Sequence, residues 1–161
     1  MEHPMKSYVN TKRPTPMLVA AIGLCLGLLI NAPALAVGSV SKSRMGMGTG
    51  PSGFAPFDAL IAQYNASGEQ FRIDGHCQSA CTMFLSIRNV CITPSASLLF
   101  HAGHTQGPNR VIDSGSTQHM MVTYNESLRS YLTSRGYMDT LAFHAISGRD
   151  MIAKFGYPAC R

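Results

Sequence analysis

A small α/β domain held by disulfides is the fold class this sequence predicts, on three observations. Helix-like and strand-like segments alternate from residue 54 to residue 155. Four cysteines, Cys77, Cys81, Cys91 and Cys160, follow an apolar N-terminal segment. That segment has the layout of an export signal.

Lys6, Lys12 and Arg13 precede the apolar run MLVAAIGLCLGLLI at 17–30, and APALA at 32–36 offers the small-x-small pattern of a signal-peptidase site. Cleavage after Ala36 is expected, which sends the protein to the periplasm or the medium. The run falls short of the roughly 20 residues that span a bilayer, so no membrane span is expected after processing. The chain has 161 residues; without 1–36 it is long enough for one small domain and not for two. Its formal net charge of +5 is carried partly by that leader. No run of Lys and Arg and no basic–aromatic interleaving occurs, so nucleic acid is not an expected partner.

An even number of cysteines behind a signal peptide reads as two disulfides, because an exported chain meets an oxidising compartment and a small core gains from cross-links. Four cysteines allow three pairings, and the sequence does not choose among them. A zinc site is the rival, since the Cys77 to Cys81 spacing and the His101 to His104 pair are loosely ligand-like. No recognised zinc pattern is matched, so no metal or cofactor is expected.

Residues 37–53 (VGSVSKSRMGMGTGPSG) are rich in Gly and Ser and read as a flexible lead, with the domain spanning 54–161. Phe57, Leu60, Ile61 and Tyr64 recur at helical spacing, and Gly68 stops the helix. EQFRID alternates like a strand, with Phe71 and Ile73 on one face. After Gly75, Ser79 is a permissible helix start, followed by the stripe Met83, Phe84 and Ile87. NVCIT and SLLFH read as two strands about Pro94, and strand, helix, strand implies a right-handed crossover in an α/β layer arrangement. Residues 102–117 read as an exposed loop and 118–135 as a longer helix ended by Gly136. Leu141 to Ile146 and Met151 to Phe155 read as two short helices, and Cys160 as the staple of the tail.

The chemistry concentrates in GHCQSACTMFLSIRNVCITPSASLLFHAG, residues 75–103. A serine hydroxyl becomes a nucleophile when a base takes its proton, and free N–H groups at a helix start stabilise the oxyanion that follows. Ser79 has that local setting, and His101, at the end of the SLLF strand, is placed to be its base if the two strands are neighbours.

The order of glycine turn, serine at a helix start, C-x-x-P strand and LLFH resembles the Clp protease proteolytic subunit and its crotonase-fold relatives. The G-x-C-x-S-A-C-T form with a later FHA is similar to small exported, mostly uncharacterised bacterial proteins related to that fold. The resemblance covers about 50–103 well and the rest weakly. It implies Ser79 as nucleophile, His101 as base and Ala80 as an oxyanion-hole donor. GPSG at 50–53 echoes the family's oxyanion loop, making Gly53 the second donor. The strands that precede that loop in the family would fall in the Gly and Ser rich lead, which implies an N-terminally truncated domain. The third triad position falls to Asp150, with Asp139 competing, and either aspartate also reads as a solvated surface charge.

Three classes of function follow: an exported serine hydrolase acting on peptide or ester bonds, an inactive envelope scaffold or binding protein of the same fold, and coenzyme A thioester chemistry, which export disfavours. A homo-oligomer is compatible with the first two. Against the nucleophile stands a plain reading of Ser79 as an N-cap, with Cys77 and Cys81 structural.

Overall fold

The computed structural model describes residues 38–40, 51–105 and 108–161. The expected leader at 1–36 and its cleavage site lie outside these. The described chain forms two three-stranded sheets with helices packed on them. It is a small mixed α/β domain with two disulfides, Cys77–Cys81 and Cys91–Cys160. Cys77 and Cys81, whose spacing suggested the zinc rival, are bonded to each other.

A 3-10 turn, Pro51–Phe54, leads into α1, Ala55–Ser67. Phe57 is buried, Leu60, Ile61 and Tyr64 pack against the core, and Gly68 ends the helix at φ 73 with its N–H on the Tyr64 carbonyl. A left-handed residue after the last turn favours glycine, which lacks the Cβ that clashes there.

The first sheet is parallel, in the order β1 (Gly38–Val40), β2 (Phe71–Ile73), β4 (Val90–Ile92). Its β1 lies inside the segment that composition reads as a flexible lead. Three residues of Gly-Ser-Val carry no visible alternation, and the backbone pairing with 71–73 supplies what the side chains do not announce. The second sheet contains β3 (His76–Gln78), β5 (Ser97–Phe100) and β6 (His144–Ser147), with β3 and β5 parallel and β5 and β6 antiparallel. The chain passes from β2 to β3 through Gly75 at φ 67, and from β4 to β5 through the turn at Pro94. Each strand pair thus contributes one strand to each sheet, and the expected crossover joins β2 through the helix after Ser79 to its parallel neighbour β4 within the first sheet, as the same stretch joins β3 to β5 in the second.

Residues 141–146, expected as a helix, are not helical, and 144–146 lie in β6 instead. The edge of β5 offers unpaired backbone groups, and pairing Leu98 with Ile146 satisfies them while burying both side chains. The helix from Ser79 is a 3-10 helix, Ser79–Ser86. Thr82 and Ser86 hydroxyls donate to the Ser79 and Met83 carbonyls three residues back, at 2.7 and 2.8 Å. Cys81, Thr82, Met83, Phe84 and Leu85 are all buried, so this helix is a central packing element and not a one-sided stripe. Phe84 lies 4.8 Å from Phe71 and 5.6 Å from Phe57, ring centre to ring centre, which ties it to the first sheet and to α1.

The expected long helix at 118–135 is two helices, α2 (Ser114–Met121) and α3 (Glu126–Ser134). Asn125 separates them as the N-cap of α3, accepting from the Leu128 N–H at 2.9 Å. Its side-chain N–H donates to the Phe155 carbonyl at 2.8 Å, tying α3 to the end of α4 (Gly148–Phe155). Gly136, at φ 63, ends α3 as expected. Beyond α4 the tail lies along β4: Ile92 donates to Pro158, Cys160 donates to Ile92, and Cys160 is bonded to Cys91. Among the described residues no helix is long and apolar enough to cross a membrane.

Candidate active site

Parallel pairing of β3 with β5 puts Gln78 opposite Leu99. Ser79 and His101 therefore emerge at the same end of neighbouring strands, the C-terminal end, where α/β sheets commonly bind ligands. Gln78 is extended, at φ −119 and ψ 153, and Ser79 then turns to φ 56. Among the described residues it is the one non-glycine in the left-handed region. The Cys77–Cys81 disulfide closes a four-residue span around it, with the two Cα atoms 5.4 Å apart and both cysteines buried. The plain cap reading of Ser79 is not what the geometry shows. Gln78 occupies the N-cap, and no side chain caps the 3-10 helix.

A serine in this backbone region costs on the order of 1 kcal/mol, because its Cβ crowds the following carbonyl. Ser79→Gly is accordingly expected to stabilise the oxidised protein, raising the melting temperature by about 4 °C. A melting temperature equal to or below that of the parent would mean that no strain is held there.

The Ser79 carbonyl accepts from the Thr82 hydroxyl at 2.7 Å, and the Thr82 Oγ1 lies 2.6 Å from the Tyr124 hydroxyl. Thr82 and Tyr124 are both buried. Burial pushes the Tyr124 phenol up, so it keeps its proton. Neither residue stands out in the sequence. SACT carries the i, i+3 hydroxyl spacing that back-bonds a helix start, but the partner lies 42 positions away.

His101 is buried, and neither ring nitrogen has a hydrogen-bond partner. Phe143 presents to it at 4.5 Å, 65° between ring planes, and His104 lies 5.6 Å away. Burial first, then the positive charges of His104 and Arg110, lower its pKa from 6.5 to about 4. The ring is therefore neutral at neutral pH and able to accept a proton. Its nitrogens are not bonded to Ser79.

Asp150, expected as the third member, is not brought to His101. Antiparallel β6 pairs Ser147 with Ser97, so α4 begins at the far end of β5, roughly 13 Å along the strand from His101. Gly148 fixes that start, since its N–H donates to Ala96 at 2.7 Å and a Cβ on it would lie 2.0 Å from the Thr93 carbonyl oxygen. The Asp150 carboxylate pairs instead with Lys154 at 3.1 Å. Asp139 is exposed, on the segment whose Thr140 carbonyl accepts from the Ala102 N–H at 2.8 Å. It makes no hydrogen bond to His101 either.

Ala80 follows Ser79 at the start of the 3-10 helix, where N–H groups lack acceptors within the helix. Gly53 is buried in the turn before α1, and Gly50 lies outside the described residues. α2 packs against both the Gly53 turn and the Ser79 helix. A histidine–carboxylate pair elsewhere was not singled out by the sequence: His119 Nε2 lies 3.1 Å from Asp58 and stacks on Phe54. Among the described residues no cluster of three His, Cys, Asp or Glu could hold a metal ion.

A scan against protein-family models finds no match, and a search of curated proteins finds none.

Proposed function

We propose that this chain is an exported serine hydrolase of Clp-protease-like, crotonase-type fold, acting on a peptide or ester bond. The observation that carries the reading is Ser79 at φ 56, clamped between two disulfide-bonded cysteines and not used as a cap. A strained non-glycine residue persists where surrounding structure over-determines it, and such residues gather at active sites. The passage of successive strands between two sheets supports the fold part of the proposal.

In the proposed reaction Ser79 Oγ attacks the substrate carbonyl as its proton passes to neutral His101. The tetrahedral oxyanion accepts from the Ala80 N–H and the Gly53 N–H. Collapse breaks the bond to the leaving group, which takes the proton from His101. Water then attacks the acyl-serine, with His101 again accepting and returning a proton. The Ser79 to His101 hydrogen bond forms on substrate binding, as catalytic hydrogen bonds commonly tighten only in the bound complex.

The second reading, an inactive scaffold of the same fold, is favoured by one observation: His101 has no hydrogen bond to serine or carboxylate. Fluorophosphonate labelling of the oxidised protein separates the two. The hydrolase reading expects covalent labelling that disappears in folded Ser79→Ala and falls by at least about a hundredfold in folded His101→Ala. An unlabelled, folded wild-type protein would establish the scaffold reading.

A further inference from the structure

The hydroxyl pair of Thr82 and Tyr124 has a direction. The single Thr82 proton goes to the Ser79 carbonyl, so the close contact with Tyr124 must be donated by the phenol. The chain runs Tyr124 O–H to Thr82 Oγ1, then Thr82 O–H to the Ser79 carbonyl oxygen.

That carbonyl shares a peptide plane with the Ala80 N–H. No cis peptide bond occurs among the described residues, so the C=O and N–H of this unit point in opposite directions. Holding the carbonyl on the Thr82 hydroxyl, itself held by Tyr124, directs the Ala80 N–H to the side opposite Thr82. Hydrogen bonds in series also polarise one another, so a donor on the carbonyl strengthens the N–H of the same amide as a donor.

Resting on the hydrolase reading, we infer that Thr82 and Tyr124 are positioning residues that aim and polarise the Ala80 amide as the oxyanion donor beside Ser79. They touch no reacting atom. Tyr124 comes from the junction between α2 and α3, so a side chain from the second half of the chain is hydrogen-bonded into the nucleophile turn.

The test is saturation kinetics of fluorophosphonate labelling on the oxidised full-length protein, separating kinact from KI, in Thr82→Val, Thr82→Ser and Tyr124→Phe. Thr82→Val is expected to lower kinact about tenfold and Tyr124→Phe about threefold, with KI unchanged. Thr82→Ser keeps the hydroxyl and is expected to label like the parent. Tyr124→Phe leaves the Thr82 to Ser79 bond in place, so it decides the matter should Thr82→Val not fold. In that variant the Ala80 amide proton resonance is expected to move upfield, since its carbonyl has lost part of its polarisation.

Wild-type kinact in both Thr82→Val and Tyr124→Phe, or a changed KI with kinact constant, would overturn the positioning role and leave Ser79 as the nucleophile. A fixed Ala80 resonance in Tyr124→Phe would overturn the polarisation. A wild-type protein that does not label would remove the hydrolase reading and this inference together.

Discussion

Replacing Cys91 and Cys160 together by alanine is expected to lower the unfolding free energy by about 4 kcal/mol, measured by urea titration of the oxidised protein and the variant. The two residues stand 69 positions apart, and cross-linking them removes a large share of the conformations open to the unfolded chain. Their Cα atoms lie 4.9 Å apart, inside the ordinary range, so the bond joins residues that the fold already brings close. The tail is aligned independently by the Ile92 to Pro158 and Cys160 to Ile92 hydrogen bonds, at 2.8 and 3.0 Å. The Cys77–Cys81 bond spans only four positions, and its loss is expected to cost about 2 kcal/mol on the same argument. An equal or smaller loss from the long-range pair would reject this chain-entropy account. For a small domain, about 4 kcal/mol is a large fraction of the total stability.

Acid should act on the protein through His101. The unfolded chain takes up a proton there below pH 6.5, while the folded ring resists protonation until about pH 4. Between these values the unfolded state binds more protons, so stability falls as the pH is lowered. The loss amounts to about 3 kcal/mol once the pH is below the folded value. Burial is the chief cause of the lowered pKa, and no carboxylate bonds to the ring to oppose it. Asp74 and Asp113, held below their ordinary values chiefly by hydrogen bonds from Thr93 and Ser116, lose their contribution only below about pH 3.8. Chemical denaturation at a series of pH values should show the decline, and His101→Gln should flatten it between pH 6.5 and 4. A decline of the same size in that variant would assign the effect to other groups.

Periodicity made the first half of the domain legible. Phe57, Leu60, Ile61 and Tyr64 with Gly68 define α1, and Phe71 with Ile73 defines β2. The segments that escaped are those whose state is set from outside. β3 has only Cys77 between two polar residues, too little for an alternation, and it is a strand because Leu98 lies beside it. His144 to Ser147 carries an apolar pattern that suits either helix or strand, and the unpaired edge of β5 decides it. Asn125 sits inside the run read as one long helix, and its capping role, which breaks that helix, shows only once its side chain is seen to accept from Leu128.

At the candidate site, the placement of Ser79 and His101 at the same end of neighbouring strands was legible because turn chemistry and strand ends are local. The left-handed backbone of Ser79 was not, since a serine before a helix reads as a cap whichever way its φ turns. Asp150 was misplaced for a topological reason: only the antiparallel direction of β6 tells which end of β5 the last helix starts from. Its i, i+4 spacing to Lys154 was in plain view and describes what the carboxylate does.

The stapled tail also governs how the molecule carries load. Tension applied at the two chain ends passes from Arg161 through Cys160 directly into Cys91 in β4, bypassing everything between them. While that bond is intact, roughly 240 Å of chain cannot be drawn out. β5, His101, α2, α3, β6 and α4 all lie within the shielded loop, and Ser79 lies within the much shorter loop that the Cys77–Cys81 bond shields in the same way.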